Sequence, residues 1–268
     1  MSEFSNIVRE MADGTLDGVS EGVIIAMSVV IGLLIIASIF AFGISIYLSI
    51  SYVRYNKKQN SCGKTGEQIA RKILDHHKLG HIKVSKTGSI MFGNSYSHYF
   101  KKVRLRRLTW QKRSVTSLAM AAQKSALAVL DKENDAEMRT RIRLTPLIYF
   151  GPIAFVPMVV IGVLLDVLLS TGFCGILFTL LGLGFYLLSF VMSILVLKTE
   201  KKAQKRAYEI MKEEGLATEE ELESCKKLFR LYNIEYINDM VIALLELIYR
   251  VLQIIAYVQN SSSSSSKQ

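Results

Sequence analysis

No Asp, Glu, Lys or Arg occurs between Glu21 and Arg54, and that uncharged run constrains this chain more than any other feature. A helix needs about 20 apolar residues to cross a bilayer, so the run is long enough to span one. Two further uncharged runs lie between Arg143 and Asp166 and between Asp166 and Lys198. Ser170-Thr171-Gly172 offers a turn between them, and together they read as a helical hairpin. A fourth apolar stretch, Met240 to Val258, is interrupted by Glu246 and Arg250, which at i,i+4 can pair on one helix face. This stretch either crosses the membrane or packs against the other helices. Half of all residues are hydrophobic and the mean hydropathy is +0.30, as a membrane protein requires.

The flanks of the first run set an orientation. The preceding residues carry Glu3, Glu10, Asp13, Asp17 and Glu21 against Arg9 alone, while Arg54, Lys57, Lys58 and Lys64 follow. A cleaved signal peptide has a basic start and a shorter apolar core, so the run reads as a retained helix. The positive-inside rule then places the N-terminus outside and residue 54 onward in the cytoplasm. The hairpin returns the chain to the same side at Lys198-Thr199-Glu200-Lys201-Lys202. The expected organisation is an extracytoplasmic N-terminus (1–21), a first transmembrane helix (22–53) and a basic cytoplasmic domain (54–143). A transmembrane hairpin (144–197), cytoplasmic helices completing the domain (198–236) and a fourth transmembrane or membrane-packed helix (237–258) follow. Residues 259–268, with six serines, lack the apolar content for a core and read as a disordered tail.

Charge is concentrated. Residues 53–145 hold 21 Lys and Arg against six Asp and Glu, a net +15 beside +10 for the whole chain. Ordinary positive-inside bias accounts for much of this. The sharper alternative is contact with anionic lipid headgroups, each basic residue near such a surface adding about 1 kcal/mol. Lys57, Lys58, Lys101, Lys102, Arg104, Arg106 and Arg107 are the candidate lipid-binding residues. No nucleic-acid motif frames them, and no nucleic acid is expected as a partner. The cysteines, Cys62, Cys174 and Cys225, are odd in number and make no disulfide framework.

Within the polar segments, Thr65 and Gln68 form a capping box opening a helix through about Leu79, with Gly80 as its stop. Alternation at Ile82/Val84, Ile90/Phe92 and Val103/Leu105 predicts two or three strands. Leu118, Ala119, Ala122, Ala126 and Val129 repeat at helical spacing over 114–131. The polar stretch 132–143 reads as a connector, and Pro146, Pro152 and Pro157 as kinks in the second span. A helix from near Lys198 ends at Gly215, and Thr218 with Glu221 caps the next one.

Several of these segments occur together, in order, in a known family. Thr65-Gly66-Glu67-Gln68 opening a helix, Ser97-His98-Tyr99, Ala121-Ala122-Gln123-Lys124-Ser125-Ala126-Leu127-Ala128, the apolar hairpin and Glu200 resemble the neutral zinc metallopeptidases of bacterial membranes. The likeness runs from near Tyr55 to near Leu252. It implies an α-helical multi-pass membrane protein with a small α+β cytoplasmic zincin-like domain. In that family the central helix carries Ala-Ala-His-Glu-x-Gly-His-Ala, with two histidines holding zinc and the glutamate activating water. Gln123 stands at the first histidine, Lys124 at the glutamate and Leu127 at the second histidine. An amide, an ammonium and an aliphatic chain cannot do that work, so no catalytic residue is assigned. Glu200 falls where the family's further glutamate ligand is expected, and one carboxylate does not retain zinc. Ser97 and Phe100 also replace aspartates that usually flank the family's His-Tyr pair.

Rival sites are weaker. His77 and His81 stand at i,i+4, but Lys78 lies between them and Gly80 favours a turn, so surface histidines are the simpler reading. Gly63-Lys64-Thr65 lacks the earlier glycine and the preceding strand of a phosphate loop. The leading expectation is therefore a membrane pseudopeptidase with no cofactor, binding membrane lipids and either a membrane-protein partner or an active relative. The alternatives are a zinc peptidase whose metal is held by displaced ligands such as His98 and Glu200, and a structural membrane protein with a basic lipid-contacting face.

Overall fold

The computed structural model describes residues 19–87, 93–148, 151–169 and 173–265. Its elements, in order, are α1 (Glu21–Lys57), α2 (Gly66–His76), β1 (Lys83–Thr87), β2 (Ser95–Ser97) and β3 (Lys102–Arg106). There follow α3 (Arg107–Gln111), α4 (Val115–Lys132), α5 (Ala136–Ile148), α6 (Gly151–Leu169), α7 (Cys174–Glu213) and α8 (Glu219–Ser265). The chain divides into two compact units. One comprises residues 1–39, 150–190 and 241–268, the other 40–149 and 191–240.

The first unit includes the apolar parts of α1, α7 and α8, which among the described residues are the three helices long and apolar enough to cross a membrane. Their outward side chains are large and hydrophobic: Ile36, Ile39, Leu180 and Val258 are each more than half exposed. In water such surface would be costly; in lipid it is the expected outer surface. Within α6, Pro157 to Leu169 form a shorter apolar helix. The Ser170-Thr171-Gly172 turn lies outside the described residues, as do Ile90 and Phe92 and the first 18 residues.

The second unit holds a conventional core. The sheet has the order β1-β3-β2, with β1 parallel and β2 antiparallel to β3. Val103 and Leu105, one face of β3, are fully buried with Ile69, Ile73 and Leu74 of α2 and Leu118, Ala122 and Val129 of α4. Helix α4 is buried along nearly its whole length, from Val115 to Leu130. Ser114 starts it, its hydroxyl accepting from the Ser117 N–H and donating to Asn56 Oδ1 at 2.7 Å. Thr65 and Gln68 form the reciprocal capping box at the start of α2. Thr218 and Glu221 do the same for α8.

Four boundaries differ from the sequence reading. Helix α2 stops at His76, before Gly80, because Lys78 takes the left-handed conformation (φ 56°). The Leu79 N–H then reaches the Leu74 carbonyl and the Lys78 N–H the Asp75 carbonyl, a Schellman closure with Leu79 buried beneath it. The stretch 132–143 is no mere connector, since most of it is helix α5. Asp135 accepts from the Glu137 and Met138 N–H groups at its start, and Lys202 pairs with both Asp135 and Glu137. The helix beginning near Lys198 is the continuation of α7, which runs unbroken from Cys174 and closes at Gly215 (φ 59°). Likewise α8 runs unbroken through 236/237 and stays helical to Ser265, where the sequence predicted disorder from residue 259. Extending an existing helix avoids the nucleation cost that an isolated serine run would face.

Candidate functional site

Gln123 and Lys124 project from α4 toward Glu200, the third residue beyond the apolar part of α7. Glu200 is 2 % exposed. An ionised carboxylate at that depth is expensive unless each oxygen is paired, and here both are. Oε2 accepts from Gln123 Nε2 at 2.7 Å and from Lys124 Nζ at 2.8 Å. Oε1 accepts from both terminal nitrogens of Arg141, at 3.2 and 3.3 Å. Arg141 also donates to Thr199 Oγ1 at 2.6 Å. Three helices, α4, α5 and α7, thus meet on one carboxylate. Leu127 is buried nearby on the same helix at 2 % exposure.

Burial by itself pushes the Glu200 carboxyl up. The charges of Lys124 and Arg141, and the hydrogen bonds they give, outweigh it and hold the group below the ordinary carboxylate range. With two cations to one anion, the cluster carries a net charge of about +1 when all three are ionised.

A groove of about 740 Å³ opens beside this cluster, lined among others by Tyr52, Arg106, Gln123, Lys124, Tyr232 and Glu235. Its wall presents an amide and an ammonium. Neither suits zinc: Lys124 has no lone pair while protonated, Gln123 offers only a weak neutral amide whose Nε2 is turned to Glu200, and Leu127 has no donor atom. Among the described residues, no three His, Cys, Asp or Glu side chains gather closely enough to hold a metal ion. The residues present therefore do not fit the metal centre that the family's motif would build.

His98, the proposed displaced ligand, is engaged elsewhere. Its Nδ1 lies 2.6 Å from Asp131 Oδ2, which also accepts from the Tyr96 hydroxyl. Asp131 stands seven residues beyond Lys124 on α4, about 10 Å along the axis at 1.5 Å per residue. His98 and Glu200 thus belong to separate clusters. The seven basic residues expected to meet lipid lie on several elements. Lys58 pairs with Glu220 at 2.6 Å, Lys57 closes α1, and Lys101 takes a positive φ in the β2–β3 turn. Lys102, Arg104 and Arg106 alternate along β3, and Arg107 opens α3.

Most of the chain matches known proteins. A family model described as "Putative neutral zinc metallopeptidase" aligns with residues 30–255. The chain belongs to that family. One relative, named "Putative membrane protease YugP" in Bacillus subtilis (strain 168), is 25 % identical over 230 residues, covering 82 % of this chain and 96 % of the relative. No solved structure matches the chain. With three helices long and apolar enough to cross a membrane and a relative named as a membrane protease, the chain is a membrane protein.

Sequence reasoning missed Arg141. It sits in the polar stretch 132–143, which read as a connector to the second span, and its role depends on α5, which the polar composition concealed. The Asp131 cluster was missed as well, because its members are far apart in sequence.

Proposed function

We propose that this chain is a non-catalytic member of its family, a multi-pass membrane pseudopeptidase whose former cleft serves binding. The observation that carries this reading is the fully occupied Glu200 carboxylate. The ammonium of Lys124, at 2.8 Å, takes the place of a metal cation and holds α4 to α7 without one. A water-activating base is missing at the same position, since Lys124 stands where the resemblance puts the glutamate. The groove beside the cluster remains large enough for a polypeptide segment from a membrane-protein partner or an active relative. On this reading the second unit faces the cytoplasm, as the basic flanks of α1 and α7 favour.

Hydrolysis of fluorescein-labelled casein tests the proposal, using the full chain in detergent with added zinc or with a chelator. The expected result is no turnover above that of a Gln123→Ala variant in either condition. Zinc-dependent, chelator-sensitive cleavage that Gln123→Ala abolishes would overturn it. The displaced-ligand enzyme is not favoured, because His98 is held by Asp131 at the far end of α4.

A further inference from the structure

One face of the small sheet is cationic and carries no acid. Val103 and Leu105 point into the core, so Lys102, Arg104 and Arg106 point outward from β3. Residues directly opposite share a face. The outward partners are Lys83, across from Lys102, and otherwise only serine or threonine: Ser85 and Ser95 lie opposite Arg104. Lys83, Lys102 and Arg104 are in no salt bridge among the described residues, while Arg106, at the end of the strand, lines the groove that Glu235 also lines. Like charges directly opposite one another destabilise a sheet, yet Lys83 faces Lys102 with no carboxylate between them. An anion from outside would relieve that repulsion.

The adjoining turn between β2 and β3 exposes two aromatic rings. Tyr99 is 56 % and Phe100 70 % exposed, and the Arg104 guanidinium lies over the Phe100 ring, 5.4 Å from its centre. The turn is not loose: the Tyr99 hydroxyl donates to the Ile142 carbonyl at 2.8 Å. Ile142 lies on α5, about 9 Å of helix before Ile148, and the apolar helix α6 starts at Gly151. The aromatic turn is thus fastened to the segment that leads into apolar sequence.

We propose that this sheet face and its turn bind the headgroups of anionic phospholipids. Lys83, Lys102 and Arg104, with the serine hydroxyls, take the phosphate oxygens, and Tyr99 and Phe100 enter the interfacial layer, where aromatic and apolar side chains are favoured. None of the outward strand residues is aromatic, and the ring beside them, Phe100, already lies under the Arg104 guanidinium, which favours lipid over the successive base stacking of single-stranded RNA. The proposal replaces a diffuse basic surface with one defined patch, excludes Lys58, and does not depend on whether the Glu200 site is catalytic.

Trp110 is the only tryptophan, so Phe100→Trp adds one reporter at an exposed position. The full-length variant is reconstituted in phosphatidylcholine bilayers containing equal fractions of either brominated phosphatidylglycerol or brominated phosphatidylcholine. The signal is the loss of emission relative to the parent protein. The added indole should be quenched more strongly by the brominated anionic lipid. The preference should shrink in high salt, which screens exposed charge. It should also fall about fivefold for each cation removed, about 1 kcal/mol apiece, in Lys83→Gln and in Lys102→Gln/Arg104→Gln. Equal quenching by the two brominated lipids, or none by either, would overturn the proposal. So would relief of the quenching by single-stranded RNA, which would give the face to nucleic acid instead.

Discussion

Removing either partner of the buried Lys124–Glu200 pair should have unequal effects, and the charge count says which is worse. Replacing Glu200 by Gln leaves Lys124, 6 % exposed, and Arg141 facing each other with no anion. Breaking a buried pair in this way costs about 3–5 kcal/mol. Replacing Lys124 by Met leaves Glu200 with the two Arg141 bonds and the Gln123 amide, a neutral and still hydrogen-bonded pair. The loss of one charge-assisted bond, about 1.5–3 kcal/mol, is offset by the desolvation of Lys124 that is no longer incurred, for a net cost of about 0–2 kcal/mol. The double variant should be more stable than Glu200→Gln alone, because only Arg141 then remains and its side chain is 21 % exposed. Cys225 is fully buried, so a thiol-reactive dye reports melting of the full chain in detergent, in a Cys62→Ala/Cys174→Ala background. At about 2–4 °C per kcal/mol for a chain of this size, Glu200→Gln should melt about 6–20 °C lower and Lys124→Met no more than about 8 °C lower. If Lys124→Met falls as far as Glu200→Gln, or the double variant gains nothing, the carboxylate is not organised by charge as described.

Three further outcomes follow from the same geometry. Because the native Glu200 carboxyl lies below its unfolded value, its contribution is fully present above about pH 4.3 and is lost as pH falls through the lower native value. Acid unfolding of Glu200→Gln should therefore show a shallower pH slope there than the parent; parallel slopes would refute the linkage. Gly66→Ala should destabilise by about 1–3 kcal/mol or more, since a Cβ there would lie 2.1 Å from the Thr109 carbonyl oxygen. Gly43→Ala, inside α1 with nothing within 4 Å, should not destabilise in the same melting assay and serves as the control. Glu221 caps α8 and also accepts from the Ser61 N–H and hydroxyl, both at 2.6 Å. Glu221→Ala should cost about 2–4 kcal/mol and speed hydrogen exchange at residues 59–65, whereas unchanged exchange would show that Ser61 is held by other means.

The uncharged runs were legible because lipid demands length and apolarity of a helix. The caps at Thr65 and Thr218 were equally visible, since side chains must satisfy the free N–H groups at a helix start. What the sequence hid depends on partners distant along the chain. Helix α5 has no apolar periodicity to announce it and is held by Asp135, by Lys202 and by Arg141 on Glu200. The stop at Lys78 was hidden because a lysine in the left-handed conformation leaves no mark of its own, while Gly80 two residues later carried the expected one. At the site, spacing placed Gln123, Lys124 and Leu127 on one helix and the family resemblance brought Glu200 to them. The third donor, Arg141, came from the helix that composition concealed.

Zinc stoichiometry is decisive for the substitution of metal by ammonium. The full chain is purified in detergent, incubated with excess zinc, desalted and analysed by inductively coupled plasma mass spectrometry beside the Gln123→His/Lys124→Glu/Leu127→His variant. On the proposed reading the parent should retain no zinc above the buffer blank, because the Lys124 ammonium already pairs with Glu200, while the variant, with three donors restored, should retain it. A full equivalent of chelator-removable zinc on the parent chain would mean that the pairing of Lys124 with Glu200 does not stand in for a metal.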